Sequence, residues 1–191
     1  MHMDELKSQK IWLCWNYETR KGKRTKVPIS ASGTATGTNS EYAHTWVTYD
    51  EAIKAADKHG YNGVGFTIPQ GYFFLDIDHK ELTDPFVQLM LERFNSYAEY
   101  SVSGGGIHIY GKCDIDRVPT YLDKDGKLRL DKAFYMKNPH NSTELYCGGI
   151  TNRFSVYTGN VIHNVPLKEC TDALLVTLDK DMRRKQKVKY S

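Results

Sequence analysis

The amino-acid sequence predicts an α+β fold, in which two mostly antiparallel β-sheet lobes are flanked by helices. Short apolar and aromatic runs alternate with clusters of Gly, Pro, Asn and Asp, a pattern typical of strands joined by turns. Several runs follow one another across short turns, which favours antiparallel pairing. Segments with helix caps and an apolar spacing of three to four residues lie between them.

The first part of the chain predicts two strands and a loop. Residues 10–17 (KIWLCWNY) and 26–29 (KVPI) are rich in aromatic and β-branched residues, and the basic segment TRKGKRTK is predicted to be the turn that joins them. Residues 30–45 are small and polar, which is typical of a loop.

Two helices are predicted from their ends. Thr48 and Glu51 form a capping-box pattern before an alanine-rich stretch, and Gly60 is placed to end that helix. Asp84 is a predicted N-cap, with Pro85 at the first helical position of the second helix. The second helix has an apolar stripe that we expect to pack on a sheet. That stripe consists of Phe86, Leu89, Met90, Arg93, Phe94 and Tyr97.

Further strands are predicted in pairs joined by turns. These pairs are 62–68 with 71–77, 98–103 with 106–112, and 143–147 with 153–158. A hairpin is also predicted to turn at Asp125-Gly126. Near the end of the chain, the apolar stretch ALLVTL predicts a helix that runs into a basic segment, DMRRKQKVKY. We therefore divide the chain into a main domain over residues 1–165 and a C-terminal helix with a basic tail or linker over residues 166–191.

The composition limits the class of protein. The chain has 191 residues, of which 40% are apolar and 26% are charged, typical of one globular domain or two small lobes. Its net charge of +3 permits nucleic-acid binding without requiring it. The four cysteines form no CxxC pair, which argues against structural zinc and favours a reducing, intracellular compartment. No run approaches the roughly 20 apolar residues that span a bilayer, so we expect no membrane partner.

The first candidate motif is a pair of carboxylates at the end of the strand in GYFFLDIDHK. Side chains two residues apart on a strand point to the same face, so Asp76 and Asp78 project together. Adjacent carboxylates repel each other, and a divalent cation is their natural partner. Two solvated acids at a strand end are the alternative interpretation.

The second motif is SVSGGGIHIYG, residues 101–111. Its three glycines allow the backbone to approach a ligand closely and to turn its amides inward as an anion nest. His108 follows two residues later and is placed to bond a phosphate held there. A glycine-rich hairpin with a core histidine is the structural alternative.

The third motif is TELYCGGITNRFSVYTGN, residues 143–160. Glu144 could complete a carboxylate trio with Asp76 and Asp78, and Arg153 lies across a predicted turn, where a guanidinium could hold a phosphate or a base. Alone, the pattern is that of a hairpin with a surface ion pair. Together, the three motifs supply what phosphoryl transfer needs, because carboxylates can hold two metal ions while amides, His and Arg hold a triphosphate.

The three motifs resemble those of the archaeo-eukaryotic primase superfamily, and above all the prim-pol domains of phages, plasmids and other mobile elements. The matching segments are DID, SGGGIH, and ELY followed by RFSVYTG. In that family an acid-x-acid pair precedes a small-residue loop ending in His and a strand with a third acid. The lead-in segments GVGF, GYFFLDIDH, KVPIS and TWVTYDEA are also similar, so the resemblance covers about residues 10–162.

The resemblance implies a role for each matching position. The implied metal ligands are Asp76, Asp78 and Glu144, and the implied catalytic residues are these three acids together with His108. The implied nucleotide contacts are Ser103, Gly104, Gly105, Gly106, His108 and Arg153. Lys26 is an implied contact to a phosphate or to the template. The third acid is Glu where many relatives have Asp, so Glu144 departs from the family's pattern at this position.

The resemblance also implies an activity and its partners. The activity is template-directed nucleotidyl transfer by a DNA primase-polymerase, with Mg²⁺ or Mn²⁺, two ions, as cofactor. The implied partners are a DNA template and primer, nucleoside triphosphates, and a helicase domain or partner. The fold would include a part like an RNA-recognition motif, with the active site in the cleft between the two lobes. The protein would work in the cytoplasm of a bacterial or archaeal host cell.

Two other functions remain open from the residues themselves. A non-catalytic replication module could bind DNA and nucleotide without chemistry, and a metal-dependent nuclease could use the same carboxylates. Other classes are excluded by missing patterns. No GxxxxGK[ST] motif occurs, the strand around His108 lacks the His-x-His pair of replication-initiator endonucleases, and a calcium loop placed on YLDKDGKLRLDK fails at its first and twelfth positions.

Overall fold

A computed structural model describes residues 2–151 and 153–185, which form an α+β fold of antiparallel sheets with a few helices. The fold class expected from the sequence is confirmed to that extent. The strands are β1 (Trp12–Arg20), β2 (Lys23–Ile29), β3 (Gly63–Thr67), β4 (Tyr72–Asp78), β5 (Ala98–Tyr100), β6 (Gly106–Lys112), β7 (Thr120–Leu122), β8 (Leu128–Leu130), β9 (Lys137–Asn138), β10 (Thr143–Cys147), β11 (Phe154–Tyr157) and β12 (Val161–His163). The α-helices are α1 (Asp4–Lys7), α2 (Tyr49–His59), α3 (Pro85–Phe94) and α4 (Thr171–Asp181), with short 3₁₀ helices at Ser40–Thr45 and Ile115–Arg117.

The larger sheet has six strands in the order β12-β5-β6-β4-β10-β9, and all of its strand pairs are antiparallel. One of its faces is covered by α3 and α4. The side chains in this first core include Phe73, Leu75, Ile77, Ile107, Ile109 and Leu145 from the sheet, with Val87, Met90, Leu174 and Leu178 from the helices. Burying such side chains stabilises the fold by about 1.5–3 kcal/mol each relative to exposure.

The smaller sheet has four strands in the order β11-β3-β1-β2. A second core joins it to α2 and to the opposite face of the six-stranded sheet. The rings of Phe66 on β3 and Tyr110 on β6 lie 5.5 Å apart, so aromatic contacts connect the two sheets. The six-stranded sheet therefore has one face under helices and the other toward the second sheet.

The predicted helix caps are confirmed. The Thr48 side chain accepts a hydrogen bond from the Glu51 amide while the Glu51 carboxylate accepts one from the Thr48 amide, and Gly60 ends α2 with φ 68°. Asp84 caps α3 through the Phe86 amide. The hairpin at Asp125-Gly126 is also present, formed by β7 and β8.

The predicted face of α3 is partly wrong. Leu89 is 45% exposed, whereas Val87, which was not in the predicted stripe, is fully buried with Met90 and Phe94. Tyr97 lies beyond the end of α3 and belongs to the second core. The helix ends early because Asn95 adopts a left-handed conformation with φ 44°.

The basic segment TRKGKRTK is not a loop-sized turn. β1 and β2 pair from Cys14 with Ile29 to Arg20 with Lys23, and only Lys21 and Gly22 form the turn. Both have positive φ, of 50° and 75°, which matches a two-residue hairpin connection. The paired strands therefore extend into the charged residues on both sides of the turn. These residues are exposed to solvent, so they form strands without the apolar pattern that marks a buried strand.

Two predicted hairpins are wrong, because their strands lie in different sheets. β3 is in the four-stranded sheet and β4 in the six-stranded sheet, and β10 and β11 are divided in the same way. The β3–β4 and β10–β11 connections run alongside each other as they pass from one sheet to the other, and the Gly148 amide donates to the Tyr72 carbonyl at 2.9 Å. A Cβ on Gly148 would lie 2.0 Å from the Pro69 carbonyl oxygen, so only glycine fits at this crossing.

The C-terminal helix is confirmed and is packed into the first core. Leu174 and Leu178 of α4 are buried there, and Asp181 pairs with Arg93 of α3 at 2.6 Å. The proposed boundary at residue 165 stays a prediction. Residues 186–191 of the predicted basic tail lie outside the described residues. Within the described part of the chain, no helix has the length and apolar character needed to cross a membrane.

Candidate active site

The alternation of β4 places the acid pair on one face of the six-stranded sheet, as predicted. Phe73, Leu75 and Ile77 point into the helix-covered core, so Asp76 and Asp78 project from the opposite face together with Phe74. This is the face that carries the contacts to the four-stranded sheet.

A row of polar side chains crosses four strands at this level of the sheet. The strand register pairs Glu144 on β10 with Asp76 on β4, Asp76 with His108 on β6, and His108 with Glu99 on β5. Directly opposed residues of antiparallel strands have Cβ atoms about 4.5–5.5 Å apart and share a face. Residues that are far apart in the chain therefore meet in one line, which we call the acid–histidine row (Glu144, Asp76, His108 and Glu99).

Asp76 is an unsatisfied carboxylate within the row. Its Oδ1 is buried and has no hydrogen-bond partner among the described residues, although the His108 Nε2 lies 3.6 Å away. Burial raises the pKa of Asp76 to about 6, and the charges of Asp78 and Glu144 add to the rise, while His108 and Arg153 oppose it. A cation near Oδ1 would relieve both the burial cost and the repulsion.

His108 is held between two carboxylates. Its Nδ1 lies 3.2 Å from the Glu99 Oε1 and 3.4 Å from the Tyr110 hydroxyl. Burial lowers the pKa of His108, but the hydrogen bond to Glu99 and the charges of Asp76 and Glu99 outweigh it, so that the pKa is raised overall. The structure therefore favours the cationic ring, which can donate from both nitrogens.

Glu144 is surrounded by positive and phenolic groups. Its Oε2 accepts from the Tyr146 hydroxyl at 2.5 Å, and the Arg153 guanidinium donates to the same hydroxyl at 2.6 Å and lies 3.6 Å from Oε2. The Lys137 ammonium lies 3.4 Å from the Glu144 Oε1. The proximity of Arg153 to Glu144 is confirmed, although it arises across two sheets and not from a hairpin.

The glycine-rich loop lies beside the acid pair. The register places Gly106 opposite Asp78, and a Cβ there would lie 3.0 Å from the Asp78 Oδ1. Within the loop, the Gly104 amide donates to the Ser101 carbonyl and the Gly105 amide to the Ser103 hydroxyl. Two amides of the predicted anion nest are thus engaged inside the loop itself.

Lys26 lies on β2 of the other sheet and still reaches the site electrostatically. Its ammonium is 5.9 Å from the Trp15 ring, and its charge lowers the pKa of His108. The described residues contain no group of three or more His, Cys, Asp or Glu side chains arranged to hold a metal ion. The ligand set of Asp76, Asp78 and Glu144 therefore stays a prediction.

A groove of about 1140 Å³ is lined in part by Met136 and Thr151, which both hydrogen-bond to Leu145 of β10, the residue after Glu144. These two lining residues are near neighbours in the chain of Lys137 and Arg153, the two cations that pair with Glu144. Four basic side chains and one carboxylate line it. The lining residues are Thr38, Asn39, Ser40, Glu41, Tyr121, Lys127, Leu128, Arg129, Leu130, Lys132, Phe134, Met136, Gly149, Ile150, Thr151 and Arg184.

Several residues of the site were not predicted from the sequence. Glu99 and Lys137 belong to no motif, and Tyr110 and Tyr146 lie inside motifs but were not singled out as site residues. Their importance depends on which strands are neighbours. The local signals are the alternation within TELYC, which places Tyr146 on the face of Glu144, and that within IHIY, which places Tyr110 on the face of His108.

The sheet arrangement shows an antiparallel α+β domain. The order of its three motifs along the chain resembles that of the prim-pol domains. No family model matches the chain. The chain is similar to a curated protein named DNA primase-polymerase from Nitratiruptor phage NrS-1, with 28% identity over 157 residues. This similarity confirms the resemblance to phage prim-pol proteins. The match covers 78% of this chain but only 19% of the relative, so the chain spans about a fifth of that protein's length.

Proposed function

We propose that the chain carries out template-directed nucleotidyl transfer as a DNA primase-polymerase. The 3′-hydroxyl of a primer or first nucleotide attacks the α-phosphorus of a nucleoside triphosphate. The new bond joins O3′ to that phosphorus, the bond from it to the bridging oxygen of the β-phosphate breaks, pyrophosphate leaves, and the hydroxyl proton passes to solvent. The similarity to the phage DNA primase-polymerase supports this activity.

One observation carries the proposal, namely the position of Asp76 within the acid–histidine row. Its Oδ1 is buried without a partner among the described residues, and it lies between Glu144 and His108 in the strand register. A buried carboxylate oxygen without a donor costs unfolding free energy unless a ligand satisfies it. Such a group, in a row with a histidine and another acid, is typical of a functional site.

The carboxylates fit a divalent metal ion. Asp76, Asp78 and Glu144 offer oxygen ligands, which Mg²⁺ and Mn²⁺ prefer, and Asp76 has an oxygen that is not already bonded. When bound, one or two such ions would supply positive charge to the reacting phosphate oxygens. Glu144 would first have to exchange its contact with Arg153, which would free that guanidinium for the nucleotide.

The triphosphate would lie over the glycine-rich loop. Gly106 has no side chain between the loop and Asp78, so phosphate oxygens could approach the acid pair there. His108 and Arg153 would donate hydrogen bonds, and Ser103 could release the Gly105 amide to a phosphate oxygen by rotating its hydroxyl. We also propose that this site lies in the cleft between the two sheet lobes and that part of the fold is similar to an RNA-recognition motif.

The groove lined by Met136 and Thr151 is proposed to hold the single-stranded template. Lys127, Lys132 and Arg184 have no carboxylate partner within the described ranges, and Tyr121 offers a ring for base stacking. Proteins that bind single strands combine such cations with aromatic platforms. Charge reversal by Lys127→Glu with Lys132→Glu should weaken binding of a single-stranded oligonucleotide and flatten its salt dependence. The matched control is Lys54→Glu with Lys58→Glu on α2, which reverses the same charge elsewhere.

The test of the proposed function is extension of a primed template by the Asp76→Asn, Asp78→Asn double variant. We expect no extension by this variant in Mg²⁺ or Mn²⁺, with retained folding and oligonucleotide binding. Asp50→Asn with Asp57→Asn is the matched control, because both acids are exposed on α2 and lie outside the site. Full activity of the site variant would refute the proposed chemistry.

The same assay separates the two alternative functions. A nuclease would shorten the labelled strand and release no pyrophosphate. A binding module would retain the oligonucleotide, yet neither lengthen nor shorten it under any metal condition.

A further inference from the structure

Glu99 on β5 is a buried acid that none of the sequence motifs contains. Its side chain is 0% exposed, and a carboxylate in such a place is tolerated only when donors surround it. Five groups contact it. They are the amides of Thr158 at 3.1 Å and Gly159 at 2.9 Å, the hydroxyls of Tyr97 at 3.2 Å and Tyr110 at 3.3 Å, and the Nδ1 of His108 at 3.2 Å.

These contacts connect both sheets to the histidine. Thr158 and Gly159 directly follow β11 of the four-stranded sheet, while Glu99 and His108 lie on neighbouring strands of the six-stranded sheet. A second link runs parallel to the first, since the Tyr110 hydroxyl lies 2.8 Å from the Ser155 hydroxyl on β11. The position of the Glu99 carboxylate is therefore fixed from two directions.

We propose that Glu99 is a positioning residue for His108. A carboxylate only accepts hydrogen bonds, so the Nδ1 that faces it must carry a hydrogen. This contact prevents the ring from flipping and leaves Nε2 toward Asp76, at 3.6 Å from Oδ1. The proposed orientation of the His108 ring does not depend on the proposed nucleotidyl transfer. The assignment of Nε2 to a triphosphate contact does rest on that proposed function.

The rival explanation is that Glu99 only holds the two sheets together. In that case Glu99→Gln would lower the stability of the protein. The fold-loss in incorporation rate of the Glu99→Gln, His108→Ala double variant would then equal the product of the losses of the two single variants. If Glu99 acts through the ring, the two effects overlap. We expect Glu99→Gln to lower the rate of incorporation at saturating nucleotide by about 10- to 100-fold, the range typical of removing the partner that orients a metal-ligating histidine. The double variant should be no slower than His108→Ala alone.

Tyr97→Phe is the matched control variant. It removes one hydrogen bond to the same carboxylate but leaves the contact of Glu99 with His108 in place. We expect its rate to stay within about threefold of the wild type, because the four other donors still hold the carboxylate and its contact with the ring is unchanged. Thermal melting and oligonucleotide affinity are measured on every variant to show that folding and DNA binding are retained.

A spectroscopic measurement tests the ring without any activity. Nitrogen-15 NMR of the wild-type chain should show a slowly exchanging hydrogen on the His108 Nδ1. Glu99→Gln should shift the ring signals, and Tyr97→Phe should not. An unprotonated Nδ1 in the wild type, unchanged ring signals in Glu99→Gln, or fully multiplicative rates would each overturn the proposal. If Glu99→Gln does not fold, the wild-type spectrum decides. Absence of nucleotide incorporation by the wild type would refute the proposed function alone.

Discussion

Replacing Asp76 by Asn should stabilise the metal-free protein, although it removes a residue of the proposed active site. Burial raises the pKa of Asp76 from 3.8 to about 6, so the folded state holds its proton more tightly than the unfolded state does. A shift of about two units corresponds to about 3 kcal/mol of unfolding free energy lost at neutral pH. The side chain is 23% exposed, and solvent screening reduces the expected gain to about 1–2 kcal/mol.

The pH dependence has a definite sign. Below about pH 4 the carboxyl group is protonated in both states, so Asp76→Asn should change stability little. The cost of the charge develops as the pH rises through about 4 to 6, and the gain from Asn should be complete by about pH 8.

The assay is thermal unfolding in EDTA at both ends of this range. For a chain of this size the melting temperature should rise by about 2–4 °C for each kcal/mol at pH 8. Asp50→Asn on the exposed surface of α2 is the control and should have no such effect. A melting temperature at or below that of the wild type at pH 8 would refute the reasoning. Adding Mn²⁺ should then stabilise the wild type more than Asp76→Asn.

Two predictions concern the fold that holds the site. Gly148→Ala should destabilise the protein by more than about 2 kcal/mol in denaturant unfolding, because its Cβ would lie 2.0 Å from the Pro69 carbonyl oxygen. The control Gly105→Ala should be nearly neutral, because the nearest neighbour of its Cβ would be the Ser103 hydroxyl at 3.5 Å. Equal effects of the two changes would contradict the close approach of Gly148 to Pro69. Leu174→Ala in α4 should lower the free energy of unfolding by about 2–5 kcal/mol, because Leu174 is fully buried in the first core. The control Val176→Ala, at a position that is 40% exposed, should lower it far less. Similar losses of unfolding free energy would show that α4 does not pack into the first core as described.

Local features of the fold followed from the sequence because their causes are local. The cap of α2 requires only Thr48 and Glu51, and the shared face of Asp76 and Asp78 requires only the alternation of a strand. The strand pairs failed where a turn can lead either to a hairpin or to another sheet. Nothing near residues 69–71 distinguishes these outcomes, since the close approach of Gly148 to Pro69 is visible only in three dimensions.

The candidate site was predictable only in part for the same reason. Its motif residues stand out by residue type and spacing, whereas Glu99 is a single acid in a short strand. Its role appears only when the register places it opposite His108 and when the chain after β11 brings two amides to it. Tyr146 and Lys137 likewise gain meaning from neighbouring strands. Long-range pairing therefore determines the surroundings of the reactive groups.

The most direct test of the central claim is a single-turnover reaction of the wild-type chain with a primed template, a labelled nucleoside triphosphate and Mg²⁺ or Mn²⁺. We predict that the primer lengthens only by the nucleotide complementary to the template and that each addition releases one pyrophosphate. Absence of any lengthened primer with enzyme in excess, or addition that ignores the template base, would contradict the account.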